Sequence, residues 1–204
     1  MWNILYTDHS NNFIHYDSLV YSNPDAKIFL VDISNHYDSQ FAWQNSDILI
    51  RSWLKNNIQN IDKQCNIALL EWDVLVTKKL PSVKIQGLKA HTVLTPATHK
   101  HWPHWNQISN LGKYISYATG IAPFGVLFMD YNTLETWIDR RFDDIYNKNI
   151  QNELRLASIL KSQNIKLSEI DLPKVCWKTK WTNFTQPEIY HPVKNKIISV
   201  NAKS

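Results

Sequence analysis

Residues 66–73 constrain the fold of this chain more strongly than any other segment. They read Asn-Ile-Ala-Leu-Leu-Glu-Trp-Asp, a short apolar run without polar alternation that ends in two carboxylates. A run of this kind indicates a strand buried on both faces, as in the middle of an α/β sheet. Glu71 and Asp73 then lie at the carboxyl end of the strand, where open α/β sheets bind their ligands.

The two carboxylates suggest a metal site. Glu71 and Asp73 are two residues apart, so along a strand their side chains point the same way. Two converging acids repel each other unless a cation lies between them, and Mg²⁺ and Mn²⁺ are hard ions that prefer carboxylate oxygens. The alternative is a strand that simply ends in solvated acids, and this short motif by itself leaves that alternative open.

The order of the predicted elements supports a parallel sheet. A strand over 27–32 is followed by a helix over 38–60 and then by the strand that ends near Asp73. In such a βαβ unit both strands run in the same direction, so Asp32 and Asp73 are expected on the same edge of the sheet. The other predicted elements are strands over 2–6 and 124–129 and helices over 132–147 and 151–164, whereas residues 77–113 and the C-terminal part show no clear period.

Composition and charge narrow the class of protein. With 204 residues, of which 44% are hydrophobic and 20% charged, we expect one globular domain over 1–204 with a polar tail from about residue 195. The net charge is only +4 and there is no basic run, so nucleic acid is not an expected partner. We expect no leader, because the sequence shows no charged-then-apolar pattern, and no apolar run reaches about 18 residues. The two cysteines lie far apart. These features predict a cytoplasmic protein without a transmembrane segment.

Aromatic residues are abundant, with nine tryptophans in the chain. Most indoles fill cores, but they also stack on sugars and bases. Between His99 and Trp105 the sequence contains three histidines and two tryptophans around a proline. We expect this segment to be a surface loop that carries aromatic rings over a ligand cleft.

Four segments together resemble the small glycosyltransferases of the GT-A fold. Residues 70–73 end a strand where that fold carries its Asp-x-Asp metal motif, and residues 119–125 resemble its glycine segment. Residues 152–156, at a helix start, resemble the acidic motif that supplies a catalytic base, and residues 189–192 resemble the segment with a C-terminal metal-binding histidine. The resemblance covers about residues 1–195. It is closest to compact glycosyltransferase domains of bacteria and large DNA viruses, including the chlorella virus type.

The resemblance implies both a fold and an activity. The implied fold is a three-layer αβα sandwich with a mostly parallel central sheet. The implied activity moves a sugar from a nucleotide-diphosphate sugar, with UDP as the favoured nucleotide, to a hydroxyl of a glycan acceptor. Residues 99–113 are then expected to form the wall of the acceptor site.

The resemblance also assigns roles to individual residues. Asp73 and His191 would bind a Mn²⁺ or Mg²⁺ cofactor, which stabilises the diphosphate leaving group. Glu71 replaces the first Asp of the metal motif, so its own contact with the metal is an open question. Glu153 would take the proton from the acceptor hydroxyl, and a base of this kind implies inversion at the sugar.

Further residues are expected around the donor. Asp32 is placed to hydrogen-bond the ribose or the base, and Trp72 to stack on the nucleoside. Lys194 and Arg51 would add positive charge near the diphosphate. Gly120 would let the backbone approach the ligand closely.

Two other functions fit the same residues. In a phosphodiesterase or nuclease, Glu71, Asp73 and Glu153 would hold Mg²⁺ around a phosphate, although no basic stripe marks a path for nucleic acid. A non-catalytic carbohydrate-binding protein would use its tryptophans as stacking platforms. Binding of a nucleotide only together with a metal ion would separate the transferase from both alternatives.

Overall fold

The computed structural model describes residues 1–8, 13–33, 39–177 and 189–193 of the chain. These residues form a six-stranded sheet and a three-stranded sheet. The described strands are β1 (Trp2–Asp8), β2 (Lys27–Asp32), β3 (Asn66–Glu71), β4 (Leu75–Val76), β5 (Leu88–Leu94), β6 (Gly120–Met129), β7 (Leu167–Glu169), β8 (Val175–Trp177) and β9 (Ile189–His191).

The strands of the large sheet follow the order β2-β1-β3-β6-β5-β7. Strand β1 runs parallel to β2 and β3, and β5 runs parallel to β7. Within this sheet only β6 is antiparallel to its neighbours, which are β3 and β5. All the other strands therefore run the same way, which confirms the mostly parallel sheet that the sequence predicts.

Helices cover both faces of the large sheet. They are α1 (Tyr16–Ser22), α2 (Ser39–Asn57), α3 (Tyr131–Ile138), α4 (Asp143–Tyr146) and α5 (Asn152–Ser162), with 3₁₀ segments over Ile58–Asn60, Pro103–Tyr117 and Arg140–Phe142. On one face, α2, α3 and α5 contribute side chains to the larger apolar core. On the other face, α1 and two strands of the small sheet contribute to a second core. The result is a layered α/β sandwich, as expected.

Strand β3 is buried on both faces, as its unbroken apolar sequence predicts. Ile67 and Leu69 belong to the core on the side of α2 and α5, whereas Ala68 and Leu70 belong to the core on the opposite side. All four side chains are fully buried. The strand ends at Glu71, so this carboxylate lies at the carboxyl edge of the sheet, beside the ends of β1 and β2.

The structure differs from the predicted elements in several segments. The helix predicted over 132–147 is interrupted, because Asp139 has an extended backbone (φ −60°, ψ 128°) and its carboxylate accepts a hydrogen bond from the Arg141 N–H. Strand β6 starts earlier than predicted, at Gly120. Strand β5 lies within residues 77–113, for which the sequence indicated no element. Its residues mostly alternate between buried and half-buried positions, which is the pattern of a strand with one face on a core.

The small sheet brings the C-terminal strand β9 to the end of β3. Strand β9 is antiparallel to β4, which follows β3 in the chain, and pairs Tyr190 with Leu75. Just beyond β9, the Val193 N–H donates a hydrogen bond of 2.7 Å to the Asp73 carbonyl. This pairing holds His191 beside the turn that follows β3.

Candidate active site

Three side chains at the carboxyl edge of the sheet form a group that could hold a metal ion. Glu71, Asp73 and His191 each offer one ligand atom, and these atoms all lie within 4.8 Å of one another. His191 Nε2 lies 3.2 Å from Asp73 Oδ1 and 3.8 Å from Glu71 Oε2. The structure thus brings together the two acids that the strand pattern singled out and the histidine that the family resemblance singled out.

Gly125, in strand β6, makes room for this group. A Cβ atom at this position would lie 2.5 Å from Glu71 Oε2, which is closer than Cβ atoms approach other atoms in proteins. It would also lie 3.0 Å from His191 Nε2, which is a tight contact. The Glu71 carboxylate and the His191 imidazole therefore come together next to the backbone of Gly125, where no side chain is present. A close approach is predicted in segment 119–125, but at Gly120 and not at Gly125.

The burial and the charges of the group suit a bound cation. Burial, opposed by His191 and reinforced by Asp73, raises the pKa of Glu71 to about 7. Among the residues that the structure describes, buried Asp73 Oδ1 and His191 Nδ1 have no hydrogen-bond partner. Two carboxylates and one imidazole form a donor set that suits Mn²⁺ or Mg²⁺. The residues present therefore fit the cofactor that the sequence predicts.

Glu153 shares a cavity with Glu71 and His191, two members of the metal-binding group. It lies in the first turn of α5, and its Oε1 accepts a hydrogen bond of 3.0 Å from the Phe124 N–H. The cavity has a volume of about 50 Å³, and its walls include Glu71, His191, Glu153 and Trp43. Glu153 does not belong to the metal-binding group itself. Glu153 therefore lines the same cavity as Glu71 and His191 without being one of the three candidate ligands.

The two acids at the ends of β1 and β2 also lie at this edge. Asp32, predicted to contact the nucleoside, is exposed and pairs in register with Asp8, which is fully buried. Asp8 is not among the predicted site residues, because the first strand is predicted to end at Tyr6, whereas it continues to Asp8. Trp72 is half-buried, and its carbonyl accepts a hydrogen bond of 2.9 Å from the Tyr6 hydroxyl.

Arg51 is engaged in the core and not at this site. It is 5% exposed, and its guanidinium donates hydrogen bonds to the backbone carbonyls of Trp137 and Asp139, pairs with Asp143 at 2.6 Å and stacks over the Tyr146 ring. These contacts connect α2 to the segment that follows α3. The predicted contact of Arg51 with a diphosphate is therefore replaced by a structural role.

Gly120 is likewise a packing residue. A Cβ atom there would lie 2.6 Å from the Trp102 ring, so the absence of a side chain makes room for an indole and not for a ligand. Lys194, the other cation predicted near the diphosphate, lies outside the described residues, as does the predicted polar tail.

No protein-family model matches the chain, and no curated protein sequence matches it. Among solved structures, the chain is similar to an active-site mutant of LgtC, with 12% sequence identity and a TM-score of 0.50 over 94% of this chain and 86% of that chain. The chain has the GT-A fold. This finding confirms the fold that the four sequence segments predict, and at this level of identity it concerns the fold alone.

Two further similarities have TM-scores below 0.5. The galactosyltransferase LgtC in complex with donor and acceptor sugar analogs has 12% identity and a TM-score of 0.46 over 94% of this chain and 86% of that chain. Mouse xyloside xylosyltransferase 1, in its apo form, has 11% identity and a TM-score of 0.45 over 97% of this chain and 100% of that chain.

Two further observations concern the rest of the chain. Cys65 and Cys176 do not form a disulfide with each other. None of the helices in the described part of the chain combines the length and the apolar character needed to cross a bilayer.

Proposed function

We propose that this chain is a metal-dependent glycosyltransferase. It moves a sugar from a nucleotide-diphosphate sugar, with UDP-sugars as the first donors to test, to a hydroxyl of a glycan acceptor. The observation that carries the proposal is the position of the Glu71, Asp73 and His191 group at the carboxyl edge of a GT-A sheet. The chain shares its fold with LgtC, through the similarity to an active-site mutant of that protein.

The cofactor of this proposal is Mn²⁺ or Mg²⁺, held by Asp73, His191 and Glu71. When bound, such an ion acts as a Lewis acid that stabilises the charge growing on the departing diphosphate. Glu71 has to give up its proton to become a ligand, because carboxylates bind metals in the ionised form. Gly125 keeps free the space in which the glutamate and the histidine converge.

The remaining roles belong to residues near the same edge. Asp32 and Trp72 contact the nucleoside, since they stand at the ends of β2 and β3, and Lys194 keeps its predicted contact with the diphosphate. Glu153 accepts the proton of the acceptor hydroxyl while that oxygen bonds to the anomeric carbon and the bond to the diphosphate breaks. A single displacement of this kind inverts the configuration at the sugar.

Thermal unfolding in the presence of nucleotides tests the proposal. We expect one of UDP, GDP or CMP to raise the Tm by a few degrees when Mn²⁺ is present and not when it is absent. The variant Asp73→Asn should lose this effect. The control Asp144→Asn changes an exposed carboxylate that pairs with Lys113, and it should keep the effect. Stabilisation by a nucleotide without any need for metal would contradict the proposal.

The same protein preparation distinguishes the alternative functions. Cleavage of plasmid DNA with Mg²⁺ would indicate a nuclease, and sugar binding independent of nucleotide and metal would indicate a carbohydrate-binding protein. The nuclease hypothesis expects Glu71, Asp73 and Glu153 as the metal ligands, whereas the group in the structure consists of Glu71, Asp73 and His191. This composition favours the transferase, because it leaves Glu153 available as a base.

A further inference from the structure

Trp43 is the exposed tryptophan of the structure. Its exposed fraction is 53%, whereas the other tryptophans among the described residues are buried or half-buried. The residue lies in the N-terminal part of α2 and forms part of the wall of the cavity that holds Glu153 and His191. A large apolar ring is thus presented to solvent at the edge of the candidate active site.

The backbone of Trp43 is tied directly to the helix that carries Glu153. Its carbonyl accepts a hydrogen bond of 3.1 Å from Asn152 Nδ2, and the same amide nitrogen lies 2.6 Å from Ser46 Oγ. Asn152 is buried and immediately precedes Glu153, whose N–H donates 2.7 Å to the Asn152 side-chain oxygen. One buried amide therefore sets the position of the tryptophan relative to the carboxylate.

A buried ion pair reinforces this connection. Arg155 and Asp47 are both fully buried and meet at 2.8 Å, and Arg155 also donates 3.1 Å to Asn45 Oδ1. Asn45 interrupts the helical geometry of α2 (φ −128°, ψ 22°), only two residues after Trp43. The kink and its arginine contact thus belong to the interface between α2 and α5, so the exposed ring does not depend on a free loop for its position.

His104 stands beside the indole. The two rings have centroids 6.3 Å apart and are tilted by 58°, and His104 packs edge-on against Trp102 at 4.9 Å. Burial lowers the pKa of His104, so its ring is neutral at neutral pH and presents one N–H donor and one nitrogen acceptor. An apolar face next to a neutral polar ring suits a pyranose, whose C–H face stacks on aromatic rings while its hydroxyls form hydrogen bonds.

We propose that Trp43, with His104 beside it, is the platform on which a sugar ring of the acceptor stacks. The inference rests on the proposed function and adds to it the acceptor class, a neutral pyranoside. Trp43 lies on the cavity wall with Glu153, the group proposed to take the proton of the acceptor hydroxyl. The expectation that residues 99–113 line the acceptor site is thereby narrowed to His104, and the main contact moves to Trp43 on helix α2.

Saturation-transfer NMR with methyl glycosides of glucose, galactose, mannose and xylose tests this proposal. We expect at least one of these sugars to bind the wild-type protein in the presence of UDP and Mn²⁺. Trp43→Ala should weaken that binding about tenfold or more, because the ring supplies most of the apolar contact area. Trp43→Phe should recover part of the loss, since it restores an aromatic face.

Tyr21→Ala is the matched control, because Tyr21 is an aromatic residue that is 77% exposed and lies on α1. It should leave sugar binding unchanged. Trp43→Ala should also unfold at the same urea concentration as the wild type, because its hydrogen bond to Asn152 uses the backbone carbonyl.

The outcomes separate this proposal from the proposed function. Suppose that UDP and Mn²⁺ stabilise the protein. If no sugar of the panel then binds, or if Trp43→Ala binds a sugar as tightly as the wild type does, the platform is wrong and the transferase proposal stands. If sugar binding depends on Trp43 but no nucleotide stabilises the protein with metal, the platform is supported and the transferase proposal fails.

Discussion

Binding of Mn²⁺ should weaken steeply as the pH falls below 7, because Glu71 has to lose a proton before it can be a ligand. Burial, countered by His191 and increased by Asp73, raises the pKa of this carboxyl from 4.5 to about 7. Metal ions bind the ionised form, so below pH 7 this one proton lowers the apparent affinity about tenfold for each unit of pH. Above pH 7 the Glu71 contribution is complete and the affinity should level off.

The same shift predicts how the metal-free protein depends on pH. The folded state holds the Glu71 proton more tightly than the unfolded state, so the associated stabilisation is fully present below pH 4.5 and is lost as the pH rises towards about 7. The pKa difference corresponds to about 3 kcal/mol of unfolding free energy. Mn²⁺ should restore stability most effectively above pH 7, where the carboxylate is already ionised.

The free Mn²⁺ signal in electron paramagnetic resonance measures the affinity across this pH range. His191 must also be neutral to bind, so the comparison that isolates Glu71 is with Glu71→Gln. Below pH 7, log Kd should fall less steeply with rising pH in this variant, and the magnitude of the slope should be about one unit smaller than in the wild type. The exposed control Glu135→Gln should keep the wild-type slope. Equal slopes for the wild type and Glu71→Gln would refute the reasoning.

Three other changes test separate parts of the structure. Gly125→Ala places a methyl group against the metal-binding side chains and should weaken Mn²⁺ binding about tenfold or more, measured by the same resonance assay; an unchanged Kd would contradict the described contact. Glu153→Gln should lower turnover by about 10²–10⁴-fold while nucleotide stabilisation is kept, and NMR of the wild-type product should show an inverted anomer. Retention of the anomer would remove Glu153 from the role of base. Arg155→Met leaves Asp47 as a buried unpaired charge and should cost about 3–5 kcal/mol in urea unfolding, whereas Arg141→Met, at an exposed position, should change stability by about 0.5 kcal/mol or less. Equal losses for both arginines would contradict the importance of the buried pair.

The parts of the fold that the sequence predicts are those with a local physical signature. The unbroken apolar run before Glu71 indicates a central strand, and the acid at its end indicates the ligand edge of the sheet. Helix α2 shows its apolar period over many residues. In contrast, β9 has only three residues and no period of its own, so His191 could be connected with Asp73 only through the family resemblance.

The site residues that the sequence does not reveal depend on contacts between distant segments. Gly125 reaches the metal-binding group because β6 pairs antiparallel with β3, and a register of this kind cannot be deduced from composition. Trp43 reaches the cavity through the contact of α2 with Asn152. The charge of Arg51 suggests a contact with the diphosphate, but the sequence does not show that its side chain donates to the carbonyls of Trp137 and Asp139.

A crystal structure of the protein with UDP and Mn²⁺, with data collected at the manganese absorption edge, tests the metal centre most directly. We expect one strong anomalous peak bounded by Glu71, Asp73 and His191 and in contact with the diphosphate of the nucleotide. A nucleotide bound at the sheet edge without a manganese peak among these three side chains, or a manganese peak elsewhere on the chain, would contradict the assignment of this group as the catalytic metal site.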